Sequence, residues 1–175
     1  MSTGDDPWSE VRRIMKVSFV VNGEDVSVDV PKKTTLLTIL RKYLGLMGTK
    51  IGCENGDCGA CSVLVDGELK KSCVTLARQV DGCSVTTIEG IHDGSGGPND
   101  MQTAFMEYGA TQCGYCTPGM ILAAEALLLK NPHPTRQEIR VAIKDNLCRC
   151  TGYQQIVDAI EAAAADRAAK GGHHD

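Results

Sequence analysis

Aromatic side chains are scarce in this chain of 175 residues: one Trp, four Tyr and two Phe, 4% in all. Any core must therefore be mostly aliphatic. A basic excess is also lacking, since 18 Lys and Arg face 22 Asp and Glu, for a net charge of −4. A nucleic-acid footprint needs a basic patch or stripe, so no nucleic-acid partner is expected. No apolar run approaches the roughly 18 residues a membrane helix needs, so no membrane span is expected either. The first residues are charged and lack the apolar stretch of a secretory leader. Length allows one or two small domains. These absences together point to a soluble, cytoplasmic protein.

Cysteine, by contrast, is abundant. Nine stand at positions 53, 58, 61, 73, 83, 113, 116, 148 and 150. The number is odd and no export signal accompanies it, which argues against a disulfide framework. Clustered intracellular cysteines then read as metal ligands. Cys83 stands apart and reads as a half-buried structural thiol beside a strand. The other eight fall into two quartets.

Organisation along the chain separates those quartets. Residues 1–15 read as a flexible arm, and residues 16–91 as a small mixed sheet on one helix. Asn22-Gly23 is a hairpin turn signal between two alternating segments, with Val26, Val28 and Val30 on one face. Thr34 or Thr35 then caps a helix carrying Leu36, Leu37, Leu40 and Leu44, closed by Gly45. Short strands follow at 62–65 and 84–88, with a helical turn at 73–77. Residues 92–99 break every pattern and read as a linker. Residues 100–166 are helical in character. Asp100 caps a first helix, Pro118 opens a second, Thr135 and Glu138 form a capping box for a third, and a fourth runs from Gln154. Residues 167–175 should fray, with His173 and His174 in a solvated end rather than a metal hook. The fold class is α+β, a sheet domain followed by a helical one.

The first quartet is Cys53-x4-Cys58-x2-Cys61, completed by Cys73. This is the spacing of plant-type 2Fe–2S ferredoxins. Three thiolates on one loop must converge, and Gly52, Gly56 and Gly59 permit the tight curl that requires. Zinc sites usually pair their cysteines as two distant knuckles, which fits this run poorly.

The second quartet pairs Cys113-x2-Cys116 with Cys148-x-Cys150. Taken alone, Cys113-Gly-Tyr-Cys116 fits a thioredoxin-like redox pair, although no βαβ pattern precedes it. A zinc site and a second 2Fe–2S centre also fit the spacing. Both pairs lie at helix boundaries, so antiparallel packing would bring them to one end of a bundle.

Three stretches carry a family resemblance: Gly-Cys-Glu-Asn-Gly-Asp-Cys-Gly-Ala-Cys at 52–61, Gly-Ala-Thr-Gln-Cys-Gly-Tyr-Cys-Thr-Pro-Gly-Met at 109–120, and Asp-Asn-Leu-Cys-Arg-Cys-Thr-Gly-Tyr at 145–153. With these motifs, residues 16 to 160 resemble the small iron–sulfur subunit of the molybdenum hydroxylases, the xanthine oxidase family. The resemblance implies a plant-type ferredoxin-like (β-grasp) domain and a four-helix bundle, each holding a 2Fe–2S cluster. It implies Cys53, Cys58, Cys61 and Cys73 as ligands of one, and Cys113, Cys116, Cys148 and Cys150 as ligands of the other. It also implies a large molybdopterin-binding subunit and a medium FAD-binding subunit, commonly as a dimer of heterotrimers. Gln112 would reach the pterin, and Cys150 would be the ligand nearest it. Without the resemblance, Gln112 reads as loop or helix capping.

The expected function is electron transfer within a molybdenum-dependent oxidoreductase, from the molybdopterin site through two clusters to FAD. No Ser/His/Asp or paired-carboxylate arrangement is visible, so no catalytic residue is assigned. The alternatives are a stand-alone ferredoxin-type carrier and a redox-inert zinc protein. Substrate choice resides in the large subunit and is not legible here.

Overall fold

The computed structural model describes residues 13–171; the expectations for residues 1–12, His173 and His174 lie outside the described residues. Strand β1 (Ile14–Val21) turns at Asn22-Gly23 into β2 (Glu24–Pro31). Both turn residues have positive φ, 51° and 87°, as a two-residue hairpin turn that follows the strand twist demands. The strand begins at Ile14, so residues 14 and 15, expected in the arm, instead pair with Pro31 and Val30. Along β1, Val17, Phe19 and Val21 are buried in alternation.

Helix α1 (Leu36–Thr38) is capped by Thr35, whose hydroxyl accepts the Thr38 N–H at 3.3 Å. It widens into a π-helical stretch, Ile39–Tyr43. Strands β3 (Ser62–Val65) and β4 (Glu68–Lys71) form a second hairpin, and β5 (Ser84–Thr86) completes the sheet. The sheet order is β2-β1-β5-β3-β4, with β1 and β5 parallel and the other neighbours antiparallel. Leu36, Ile39 and Leu40 pack on Val17, Val30, Val63, Val65 and Val85 to make the first core. The helical turn expected at 73–77 is instead a hydrogen-bonded turn at Lys71–Thr75, followed by a short 3-10 helix, Ala77–Gln79.

Four helices follow: α2 (Asp100–Glu107), α3 (Thr117–Lys130), α4 (Arg136–Ile143) and α5 (Gln154–Ala169). The cap of α2 is Asn99, not Asp100. The Asn99 side chain accepts from the Gln102 N–H while Gln102 accepts from the Asn99 N–H, both bonds within 2.9 Å, a full capping box. Thr135 and Glu138 form the expected box on α4. Met101, Phe105, Met120, Ile139, Ile143, Ile156 and Ile160 are fully buried among these helices.

The last helix overruns the frayed tail expected from residue 167. Arg167 lies on α5 and is held by two carboxylates, Asp100 at 2.6 Å and Glu125 at 2.7 Å. Asn99 adds a bond to Glu125 at 2.9 Å, so the end of α5 is tied to the starts and middles of α2 and α3. A charge cluster this sheltered helps keep the terminal turn wound, since freeing Arg167 would take the cationic partner from two carboxylates whose side chains are only 24% and 11% exposed.

The sheet and the helices share one strand. All four residues of β3 are buried: Val63 and Val65 face the first core, while Leu64 packs with Leu122 and Ala126 of α3. Around that contact lies a polar seam. Asn146 Nδ2 donates to the Gly59 carbonyl at 3.0 Å and reaches Ser62 Oγ at 3.3 Å. Lys71 Nζ donates to the Asp145 carbonyl at 2.6 Å, and Lys130 pairs with Glu68 at 2.8 Å. Gly59 has φ +70°, and a Cβ there would stand 2.4 Å from the Asp145 carbonyl oxygen. Only glycine allows that approach.

Candidate metal centres

The first quartet sits on the loop between α1 and β3 and on the turn after β4. Its thiols lie in two pairs. Cys58 Sγ accepts the Cys53 N–H at 3.3 Å, and Cys53 Sγ accepts the N–H groups of Asp57 and Cys58 at 3.2 and 3.3 Å. Cys61 and Cys73 are buried together against Leu37. Ser72, next to Cys73, clamps this second pair by donating its N–H and its hydroxyl to the Cys61 carbonyl at 3.2 and 2.7 Å. A Cβ at Gly52 would stand 2.4 Å from Cys58 Sγ, so a side chain there would displace that thiol.

Environment separates the pairs. Amide donation from Cys58 and Asn55 lowers the exposed Cys53 thiol to about 6. Burial, followed by the neighbouring Cys61 sulfur, pushes Cys73 up to about 12. Backbone N–H groups already aimed at sulfur are what a buried thiolate centre needs, because they stabilise negative charge on sulfur.

The second quartet is also two pairs. The loop before α3 carries Cys113 and Cys116, and the segment from α4 to α5 carries Cys148 and Cys150. The antiparallel packing anticipated from the helix boundaries brings them together: Cys150 Sγ lies 3.6 Å from Cys113 Sγ. Cys116 interacts with Cys148, and burial followed by that neighbour raises the Cys116 thiol to about 12. Burial also opposes ionisation of Cys148. Bonds from the Thr151 hydroxyl and amide outweigh it and bring Cys148 below its ordinary value. The Thr151 hydroxyl lies 3.1 Å from Cys148 Sγ and the Thr151 N–H 3.4 Å away.

Among the described residues, no group of three or more His, Cys, Asp or Glu side chains is gathered as a single metal ion requires. Four thiols in two pairs would suit a binuclear centre, with these cysteines as the residues that would hold it. The donor set is all sulfur and half sheltered, as 2Fe–2S ligation requires. The residues present therefore fit that group.

The two loops touch. Leu147 N–H, one residue before Cys148, donates to the Cys58 carbonyl at 2.8 Å. The Tyr115 hydroxyl, between Cys113 and Cys116, donates to the Ile51 carbonyl. Gln112 and Cys150 are both exposed, on the side of the helical domain where Cys113 also opens to solvent. Gln112 does not cap α3, whose first turn follows Cys116 without a side-chain cap. Cys83 is half-buried beside β5 and packs on the first core, as its reading required. Asn146 at the seam and Tyr153 beside Cys148 are two residues to which the sequence assigns no role of their own. Asn146 carries no metal-ligand chemistry, and both residues stand in the sequence only as members of the 145–153 stretch that carries the resemblance.

A sheet domain and a helical domain, each presenting a paired cysteine quartet, define a protein of the two-centre 2Fe–2S class. Two family models match accordingly: the 2Fe-2S iron-sulfur cluster binding domain over residues 19–85, and the 2Fe-2S binding domain over residues 87–161. The chain is 48% identical over 147 residues to the nicotinate dehydrogenase small FeS subunit of Eubacterium barkeri, covering 84% of this chain and 93% of that one. It is 47% identical to the nicotine 6-hydroxylase small subunit of Paenarthrobacter nicotinovorans, covering 83% and 87%. Among solved structures, quinoline 2-oxidoreductase from Pseudomonas putida 86 superposes with a TM-score of 0.85 at 45% identity, over 90% of this chain and 98% of that one. This chain belongs to the small iron–sulfur subunits of the molybdenum hydroxylase family. It is thus an electron-transfer subunit of an oxidoreductase.

Proposed function

We propose that the chain serves a heterotrimeric, cytoplasmic molybdenum hydroxylase, carrying electrons from a large molybdopterin-binding subunit to a medium FAD-binding subunit. Cys53, Cys58, Cys61 and Cys73 hold one 2Fe–2S cluster on a β-grasp, ferredoxin-like domain spanning 16–91. Cys113, Cys116, Cys148 and Cys150 hold the other in a four-helix bundle spanning 100–166. Each cluster, when bound, supplies one-electron redox chemistry.

The observation that carries this reading is the gathering of both quartets into thiol pairs on two loops joined by the Leu147–Cys58 hydrogen bond. Every other task falls to this chain's residues. Asn146 and Gly59 hold the loops in register. Val63, Leu64 and Leu122 keep water from the strand that joins the domains. Gln112 and Cys150 present a polar, exposed edge suited to the pterin side. Exposed Ile51 and Val74 border the first quartet and suit a protein contact on the flavin side. The large subunit binds the substrate, an organic molecule oxidised at an electron-poor ring carbon or an aldehyde. Relatives named for nicotinate, nicotine and aldehyde support that class. The assembly is a dimer of such heterotrimers.

Gentle native purification with metal and flavin counts tests the proposal. Two larger chains, Mo, FAD and four Fe per copy of this chain are expected. A lone brown protein holding iron, with no Mo or flavin even at low salt, would establish a diffusing electron carrier instead.

A further inference from the structure

Tyr153 is the one bulky aromatic residue among the described residues with a left-handed backbone, at φ +70° and ψ −19°. That conformation is uncommon for a large side chain and persists only where its surroundings hold it. Gly152 before it is also left-handed, at φ +66°, so the chain reverses sharply between Thr151 and α5. The reversal folds the Tyr153 ring back onto the helical core. Its hydroxyl oxygen then accepts the Cys148 N–H at 2.8 Å.

The amide of a ligand cysteine has two places to go. It can donate to a cluster sulfur, or it can be satisfied elsewhere. Hydrogen bonds to sulfur are one of the levers on an iron–sulfur potential. Each such bond stabilises the more negative, reduced state. Here Thr151 supplies both of its donors to Cys148 Sγ, while Tyr153 draws the Cys148 amide away. The Tyr153 N–H in turn donates to Thr151 Oγ1 at 3.3 Å, which closes a ring of bonds around Cys148.

We propose that Tyr153 is a positioning residue for the helical-domain cluster: by accepting the Cys148 amide it fixes that ligand and keeps one donor off the cluster sulfurs, holding the cluster's potential down. The inference rests on Cys148 being a cluster ligand, as the preceding section reads it.

The test is Tyr153→Phe in the full chain within its native complex, which removes one oxygen and keeps the ring packing. Iron per chain, low-temperature EPR and redox titration of both signals are measured. The expected result is an upward shift in the midpoint of one 2Fe–2S signal, with an altered line shape, while the other signal is unmoved. Loss of two of the four Fe with helical content intact by far-UV circular dichroism also supports positioning, since the ligand then fails to hold its place. Both signals superimposing on wild type, or a downward shift, would overturn the proposal. Loss of helical content together with the iron would reduce Tyr153 to a packing role. Thr151→Val separates this inference from the reading beneath it. If Cys148 is a ligand, that variant lowers the midpoint of the same signal. If neither variant moves any signal, the ligand assignment fails with the proposal.

Discussion

Gln112 and Asn146 show how differently single residues announce themselves. Gln112 is exposed on the Cys113 loop, and nothing in its spacing or polarity gives it a role. Only the surrounding motif made it a candidate. Its side chain supports no packing, so Gln112→Ala should leave both centres assembled and the midpoint of thermal unfolding within a degree or so. Reduction of the clusters by substrate in the assembled enzyme should slow, or the pterin cofactor should be lost more readily. Stopped-flow reduction and Mo retention measure the two effects. Unchanged values in both would remove Gln112 from the interface with the pterin. Of the eight cysteines we propose as ligands, by contrast, the first quartet is legible from spacing alone. The second needed its neighbours, because Cys-x2-Cys with Cys-x-Cys is compatible with several chemistries. Tyr153 was not legible at all, since a sequence does not reveal a left-handed backbone at a non-glycine residue.

At the scale of elements, local signals were read well where the chemistry is local. The Asn22-Gly23 hairpin and the Thr135/Glu138 box stand where they were expected. The start of α2 was misplaced by one residue, because Asn99 and Asp100 are both good caps and only Asn99 finds Gln102 three residues on. The end of α5 was missed because its support is distant: Arg167 is held by residues 67 and 42 positions away. On α4 the cap has a measurable consequence. Thr135→Ala should cost about 1 kcal/mol of stability, read by chemical denaturation. The Glu138 carboxyl is held below its ordinary value by the Thr135 N–H and hydroxyl. A lowered carboxylate stabilises above its unfolded value of about 4.3 and loses that contribution as pH falls through the folded value. The gap between wild type and Thr135→Ala should therefore narrow below about pH 4. A gap independent of pH would mean the Glu138 half of the box contributes nothing.

For the whole molecule, the seam between sheet and helices was the least legible feature. Residues 92–99 read as a linker, which suggests two bodies on a tether. The structure shows the opposite, since nine residues of α3 are buried and a helix buried nearly all round must be covered on more than one side. Its second cover is β3. The seam's polar centre is Asn146, 1% exposed, with Nδ2 on Gly59 and Ser62. Asn146→Ala should cost about 1 kcal/mol, because the Ser62 hydroxyl loses its donor while the Gly59 carbonyl keeps only the Ser62 N–H, and removal of the unpartnered Asn146 Oδ1 offsets part of the loss. Urea unfolding followed by near-UV and visible circular dichroism would measure that loss. A cost below a few tenths of a kcal/mol would mean the seam is held without Asn146, by the Leu64–α3 packing and the Lys71, Lys130 and Leu147 contacts.

Strand β3 also bears on how such a protein can be inherited. Its odd residues serve one core and its even residues the other, so four consecutive positions answer to two domains at once. A gene break at the linker would look harmless, yet it would leave Leu64 of the first fragment and Leu122 of the second bare. An uncovered apolar strand face is a template for aggregation. The pair also occurs intact within a longer chain: this chain matches 18% of the length of the aldehyde oxidoreductase from Desulfovibrio gigas, with 90% of its own length covered. Recombination between the two halves is the exchange that the shared strand forbids.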